Sequence, residues 1–271
     1  MLSSMENDQT LGTHPTPLWS RRGGSGPSLL VLIHGMAATA DVWDPVTVEL
    51  AERWRGEWLA VDLAGHGRSA HRASYSVGGH AADVARIIGR RDNVVVLGHS
   101  LGGAVGLALA SGWFGVEVRL TVALGVKIRW SAEDLRRAEA LAGRPPRRFA
   151  SRAEAVTFWL RIAGLEGLWD VDHPGTRAAV VELDGEFVPT FDNRAYDVGV
   201  PPMPSLLAAA RGKVVLARGA DDPMVSDDDI HELGVPPQVV VDAGHNAQVT
   251  APSRVAGLVL DSRPGLTRPN P

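Results

Sequence analysis

The sequence predicts an α/β fold: a mostly parallel, doubly wound sheet flanked by helices, with a helical cap inserted between its two halves. Three observations carry this. Short apolar runs at 29–33, 58–62, 94–97, 120–124, 214–217 and 239–241 are rich in Val, Leu and Ile and do not alternate with polar residues, the pattern of strands buried on both faces. Helical patterns at about 46–54, 77–88, 102–111 and 252–261 follow such runs. The alternation stops between 127 and 200, where helix-forming and aromatic residues replace strand signals until Lys213.

Taken in order, residues 1–28 are rich in Ser, Gly, Thr and Pro. Residues 1–16 are expected to be a flexible tail, with an edge strand around 17–19. The core is expected over 1–126 and 201–271, ending in a flexible tail at 262–271. The cap is expected over 127–200. Its first helix should begin at Ser131, an N-cap followed by Glu133 and Asp134. Its second should hold Ala153, Val156, Phe158, Trp159, Leu160 and Ile162.

Composition narrows the function. The chain has 271 residues, 45% hydrophobic, with a formal net charge of -4 and no cysteine. This balance gives no electrostatic reason to expect nucleic acid or an anionic membrane as partner. Disulfides, thiolate catalysis and Cys-ligated metal centres are excluded. The opening MLSSMENDQT lacks the basic and apolar regions of a signal peptide, and no apolar run reaches the roughly 20 residues that span a bilayer. A soluble, cytoplasmic protein is expected.

The most informative segment is the apolar run 94–97 followed by Gly98-His99-Ser100-Leu101-Gly102 and then a helical pattern. A serine on a sharp strand-to-helix turn needs small neighbours, because its backbone is strained and closely approached. The following helix N-terminus offers free N–H groups where an oxyanion would develop. Gly98-x-x-x-Gly102 is this serine turn and not a nucleotide loop.

This strand, G-x-S-x-G and helix resembles the α/β-hydrolase family, and the likeness covers nearly all of the chain outside the tails and cap. The run ending His34-Gly35-Met36 is similar to the family's early His-Gly turn. The resemblance implies an oxyanion hole made by the backbone N–H groups of Met36 and Leu101. Asp62-Leu-Ala-Gly65-His66-Gly67-Arg68-Ser69 resembles a structural loop of the family. Gly219-Ala-Asp221-Asp222-Pro223 resembles its acid turn, and Gly244-His245 its histidine loop. The implied catalytic set is Ser100 as nucleophile, His245 as general base and Asp222 as the acid that orients the base. Asp221 is the alternative acid. Ser226-Asp-Asp-Asp-Ile-His reads as an N-capped acidic helix start in preference to a metal site. His99 and His66 read as structural.

The resemblance implies a serine hydrolase that cleaves a small to medium hydrophobic carboxylic ester, lactone or thioester through an acyl-enzyme, with no cofactor and no metal. Two other readings exist. One is carbon–carbon bond hydrolysis on the same fold, disfavoured because His99 stands where such relatives often carry Asn. The other is a non-catalytic ligand-binding protein. Ser100 argues against the Asp-nucleophile dehalogenases and epoxide hydrolases. The expected substrate pocket is bordered by His34, Trp130, Trp159 and Trp169. More than half of the cap aromatics, which also include Phe149, Phe158, Phe187 and Phe191, are expected to pack cap onto core. The cap arginines are expected to be solvated.

Overall fold

Helix and strand boundaries come from a computed structural model that describes residues 18–240 and 242–262. Seven strands form one sheet: β1 (Ser20–Gly24), β2 (Ser28–Ile33), β3 (Gly56–Val61), β4 (Val94–His99), β5 (Val118–Leu124), β8 (Lys213–Gly219) and β9 (Gln238–Val240). Their order is β1-β3-β2-β4-β5-β8-β9, with β1 antiparallel at the edge and every other pairing parallel. Parallel neighbours require crossovers, and helices supply them: α1 (Asp44–Leu50), α2 (Val77–Ile88) and α3 (Leu101–Ala110). Helices α6 (Met203–Ala209), α7 (Asp227–His231), α8 (Ala247–Thr250) and α9 (Pro252–Ser262) complete the core. Two groups of helices pack against the sheet, α2, α3 and α6 in one, α1, α8 and α9 in the other. That double cover explains the unbroken apolar runs: Leu29 to Ile33 in β2 are all fully buried. Each such side chain contributes roughly 1.5–3 kcal/mol on leaving water.

Local sequence sets the helix ends. Ser76 caps α2 by accepting the Gly79 N–H at 3.0 Å, and the helix buries Val77, His80, Ala81, Val84, Ala85 and Ile88 at helical spacing. Gly89, at φ 67°, ends it. Helix α1 stops at Leu50, short of the expected 54; Ala51 to Arg53 form a turn instead. The edge strand lies at 20–24, just beyond the expected 17–19, because backbone pairing with β3 carries it where its own SRRGG pattern does not. Pro17, Val241 and the expected tails, apart from Ser262 in α9, fall outside the described residues.

Between β5 and α6 lie α4 (Ala132–Ala142) and α5 (Arg152–Ile162). Ser131 closes a capping box with Asp134 at the start of α4. Helix α4 buries no residue, whereas α5 buries Ala155, Val156, Trp159 and Leu160. This stretch is not wholly helical. A hairpin, β6 (Val180–Leu183) and β7 (Glu186–Pro189), turns at Asp184-Gly185, both at positive φ. The Asp-Gly pair between two short apolar runs was the sequence signal for it. Among the described residues, no helix is long and apolar enough to cross a membrane.

Strand register then makes the site. Ile33 lies opposite Val61 and Gly98, Gly98 opposite Ala123, and Leu124 opposite Ala217. The strands therefore end level, and the residues after them share one edge, where open α/β sheets bind ligands. A buried histidine cluster sits beside that edge: the His34 and His66 rings are 5.0 Å apart, and His66 and His80 6.3 Å. Burial pushes His34 down to about 4, and His66 and His80 down to about 3.

These imidazoles stay neutral in the fold, while the unfolded chain protonates them near pH 6.5. The native state should hold their full contribution above that pH and lose it as pH falls toward 3. Thermal unfolding should show Tm dropping steadily through this window, by an amount on the order of 10 kcal/mol in all if each shift counts in full. His80→Gln should flatten the slope; an identical slope in wild type and variant would contradict this account.

Candidate active site

The edge is built around Ser100. It joins β4 to α3 with φ 51° and ψ -116°, a left-handed conformation that costs a non-glycine residue roughly 1–3 kcal/mol. Its surroundings enforce it. The Ser100 N–H donates to the Leu124 carbonyl at 2.8 Å, and the Ser100 carbonyl accepts from Gly103 and Ala104 N–H at 3.0 and 3.3 Å. A Cβ on Gly98 would strike the Gly102 carbonyl, and one on Gly102 the Ile33 carbonyl. The start of α3 is thus pressed backbone to backbone onto β4 and β2.

The turn after β2 approaches from the other side. A Cβ on Gly35 would stand 3.1 Å from Ser100 Cβ and 2.8 Å from His99 Nδ1. His34 Nδ1–H donates to the Gly35 carbonyl at 2.8 Å, and His34 Nε2 accepts from the Leu63 N–H at 2.9 Å. Ala38 N–H also donates to the Gly35 carbonyl, at 3.2 Å. Because the peptide is planar and trans, fixing that carbonyl aims the Met36 N–H the opposite way. Among the described residues, neither the Met36 N–H nor the Leu101 N–H is taken by a hydrogen bond.

His245 and Asp222 follow β9 and β8. The imidazole Nδ1 lies 3.0 Å from both Asp222 carboxylate oxygens. The Asp222 side chain is fully buried and that of His245 is 23% exposed. Met224 N–H donates to Asp222 Oδ1 at 2.8 Å and holds it. Asp221 is exposed, its N–H on the Ala243 carbonyl. Gly125, at φ 64°, joins this pair to the serine: a Cβ there would stand 3.1 Å from Asp222 Oδ2 and 3.3 Å from the His245 ring, and the preceding carbonyl holds the Ser100 N–H. No hydrogen bond runs from Ser100 Oγ to His245 among the described residues. His99 holds the histidine loop: its Nε2–H donates to the His245 carbonyl at 2.9 Å. Burial and the neighbouring His245 keep it well below the ordinary imidazole range.

Other expected residues take structural positions. Asp62 Oδ1 accepts from the Ala40 N–H at 2.7 Å, and its Oδ2 accepts from the Arg68 backbone and guanidinium at 2.9 Å. Burial raises the Asp62 carboxyl above its ordinary range. His66 Nδ1–H donates to the Ala64 carbonyl at 3.0 Å. Ser226 forms a capping box with Asp229, and Arg218 and Arg129 pair with Asp227 and Asp229.

Ser100 opens on a cavity lined by Leu101, Val126, Lys127, Trp130, Val198, Gly199 and Pro201. Trp130 is thus a wall. His34, Trp159 and Trp169 are not among these walls, a correction to the expected pocket. His34 is fully buried at the turn after β2. Trp159 is fully buried, with Nε1–H on the Ala37 carbonyl at 2.8 Å, and Trp169 stacks on His173 at 4.1 Å. Their indoles pack the inserted segment. Four residues were missed: Gly125; Arg218, which donates to the Gly219 and Ala220 carbonyls beside Asp222; Asn246; and Gln248. Only adjacency hinted at them, Gly125 ending a strand and Asn246 following His245.

Level strand ends, a strained serine before a helix and a histidine paired with a buried aspartate are the architecture of an α/β hydrolase. The sequence model of the alpha/beta hydrolase family matches residues 30–258, and the chain belongs to that family. It is similar to a thioesterase domain from the curacin biosynthetic pathway (TM-score 0.74, 19% identity, 92% of this chain and 97% of that one). An esterase of Mycobacterium tuberculosis is also similar (TM-score 0.67, 25% identity, 89% of each chain). In sequence, the chain is 36% identical over 93 residues to the lipase LipV of Mycobacterium tuberculosis, covering 34% of each. It is 42% identical over 88 residues to a pimeloyl-[acyl-carrier protein] methyl ester esterase of Nitrosomonas europaea, 32% of each. The match spans only about a quarter to a third of the length of the curated relatives.

The glycine geometry sets a paired expectation. Gly102→Ala should cost more than about 3 kcal/mol or prevent folding, since backbone must give way. Gly78→Ala in α2, where a Cβ meets nothing within 4 Å, should stabilise by about 0.5–1 kcal/mol. Denaturant unfolding of both variants checks this; equal stabilities would contradict it.

Proposed function

We propose that this chain is a serine hydrolase of small to medium hydrophobic carboxylic esters, thioesters or lactones, working through an acyl-enzyme on Ser100. One observation carries the reading: a strained serine that opens on an apolar cavity shares one sheet edge with a His–Asp pair and two unengaged backbone N–H groups. Ser100 Oγ attacks the substrate carbonyl while His245 Nε2 takes its proton. Asp222 on Nδ1 fixes the tautomer and stabilises the imidazolium that forms. The oxyanion develops between the Met36 and Leu101 N–H groups, at the positive end of α3. His245 then protonates the leaving alcohol, and water, deprotonated by the same ring, releases the acid. Catalytic hydrogen bonds of this kind are often long until substrate binds, so the missing Ser100–His245 bond does not rule the mechanism out.

The cavity walls favour apolar acyl groups, since Leu101, Val126, Trp130, Val198 and Pro201 outnumber Lys127. Lys127 is itself occupied: its ammonium pairs with Asp134 at 2.7 Å and lies over the Trp130 ring at 5.0 Å. The relatives named lipase and methyl ester esterase support ester hydrolysis.

With short p-nitrophenyl esters, Ser100→Ala should lose activity by about 10³-fold or more. Unchanged turnover would overturn the mechanism. Trp130→Ala should shift the preferred acyl chain toward greater length, seen as a rise in kcat/KM for longer esters relative to shorter ones. An unaltered chain-length profile would remove Trp130 from the substrate's path.

A further inference from the structure

Among the described residues, helix α5 and the turn after it hydrogen-bond to the core at two places, and each adjoins one half of the site. At the first, Trp159 Nε1–H donates to the Ala37 carbonyl at 2.8 Å. Ala37, itself at φ 61°, follows Met36. At the second, the Gly164 carbonyl just past the helix end accepts from Asn246 Nδ2 at 2.8 Å. Asn246 follows His245. The second contact continues inward. Gln248 Nε2 donates to Asn246 Oδ1 at 2.9 Å and stands 3.5 Å from His99 Nδ1, and His99 Nε2–H donates to the His245 carbonyl at 2.9 Å. Trp159, Asn246, Gln248 and His99 are all buried. Such bonds hold geometry firmly, because a buried donor or acceptor that loses its partner has no water to replace it.

Trp159 and Gly164 are five residues apart along one helix and its cap, so the two anchors move together. Space is tight at the second anchor: a Cβ on Gly164 would stand 3.0 Å from Asn246 Nδ2. Helix α4, by contrast, buries nothing.

We propose that α5 is a clamp that holds the Met36 turn and the His245 loop in register, with Trp159 and Asn246 as positioning residues. Its catalytic consequence rests on the function proposed above; the clamp itself is a mechanical property of the fold. It predicts crossed effects, in which loosening one anchor loosens the other.

The test compares the full chain with Trp159→Phe, which keeps an apolar ring but loses the N–H, and Asn246→Ala. Amide hydrogen exchange should rise by about fivefold in residues 243–248 on Trp159→Phe, and likewise in residues 35–38 on Asn246→Ala. In ester hydrolysis, each variant should lower kcat by about 5- to 10-fold with KM little changed, and the double variant should be no slower than about the slower single one. Asn246→Gln, which keeps an amide donor, should recover part of the loss. Exchange that rises only at the mutated anchor, or kcat that holds in both single variants of an active enzyme, would overturn the clamp. If the wild type turns over no ester at all, the proposed function fails and hydrogen exchange alone decides the clamp.

Discussion

The site depends on one steric constraint: backbone packed directly on backbone where α3 leaves the sheet. The Gly98 and Gly102 positions admit no side chain, since a Cβ would collide with the carbonyls of Gly102 and Ile33 respectively. That contact fixes the start of the helix against β2 and β4 and forces Ser100 into its left-handed conformation. The strain is borne by the hydrogen bonds around it and by a helix whose ten residues are all buried. Level strand ends then carry every other part of the site to the same edge. A rigid sheet thereby does what a flexible loop could not: it holds in place the hydroxyl, the imidazole and the two N–H groups that the proposed chemistry needs.

Desolvation serves the same end by a different route. His34, His66 and His99 lie beside the site, yet burial keeps each neutral, and its hydrogen bonds then select the tautomer. In that state each acts as a fixed hydrogen-bond bracket. His34 aims the Met36 N–H by gripping the carbonyl on the other side of the same peptide. His99 grips the His245 carbonyl. His245 differs from them in being partly exposed and paired with a buried carboxylate, which suits it to the role proposed for it.

Much of this was legible in sequence, for a physical reason. The parallel strands and the serine turn are local demands: burial on both faces requires an unbroken apolar run, and the elbow requires small residues at fixed offsets. The acid turn and histidine loop were likewise readable because each follows a strand immediately. What escaped was decided by tertiary partners. Strand β1 has a polar sequence and exists through its ladder with β3. Trp159 looked like a pocket wall because an aromatic on a cap helix carries no mark of direction; its N–H found the Ala37 carbonyl instead. Gly125 and Asn246 belong to no pattern, and their positions acquire meaning only once β5, β8 and the histidine loop lie side by side. The Asp184-Gly185 turn, by contrast, was a local signal overlooked among other Gly and Asp residues.

The account stands on Ser100 being the atom that bonds to substrate. Acid-quenched intact-protein mass spectrometry during turnover of a slow ester tests this directly, with peptide mapping of any adduct. The account predicts one acyl group added per chain, located on Ser100 and lost when His245 is free to direct water onto it. An adduct on another residue, or sustained turnover by a chain that never acylates, would contradict it.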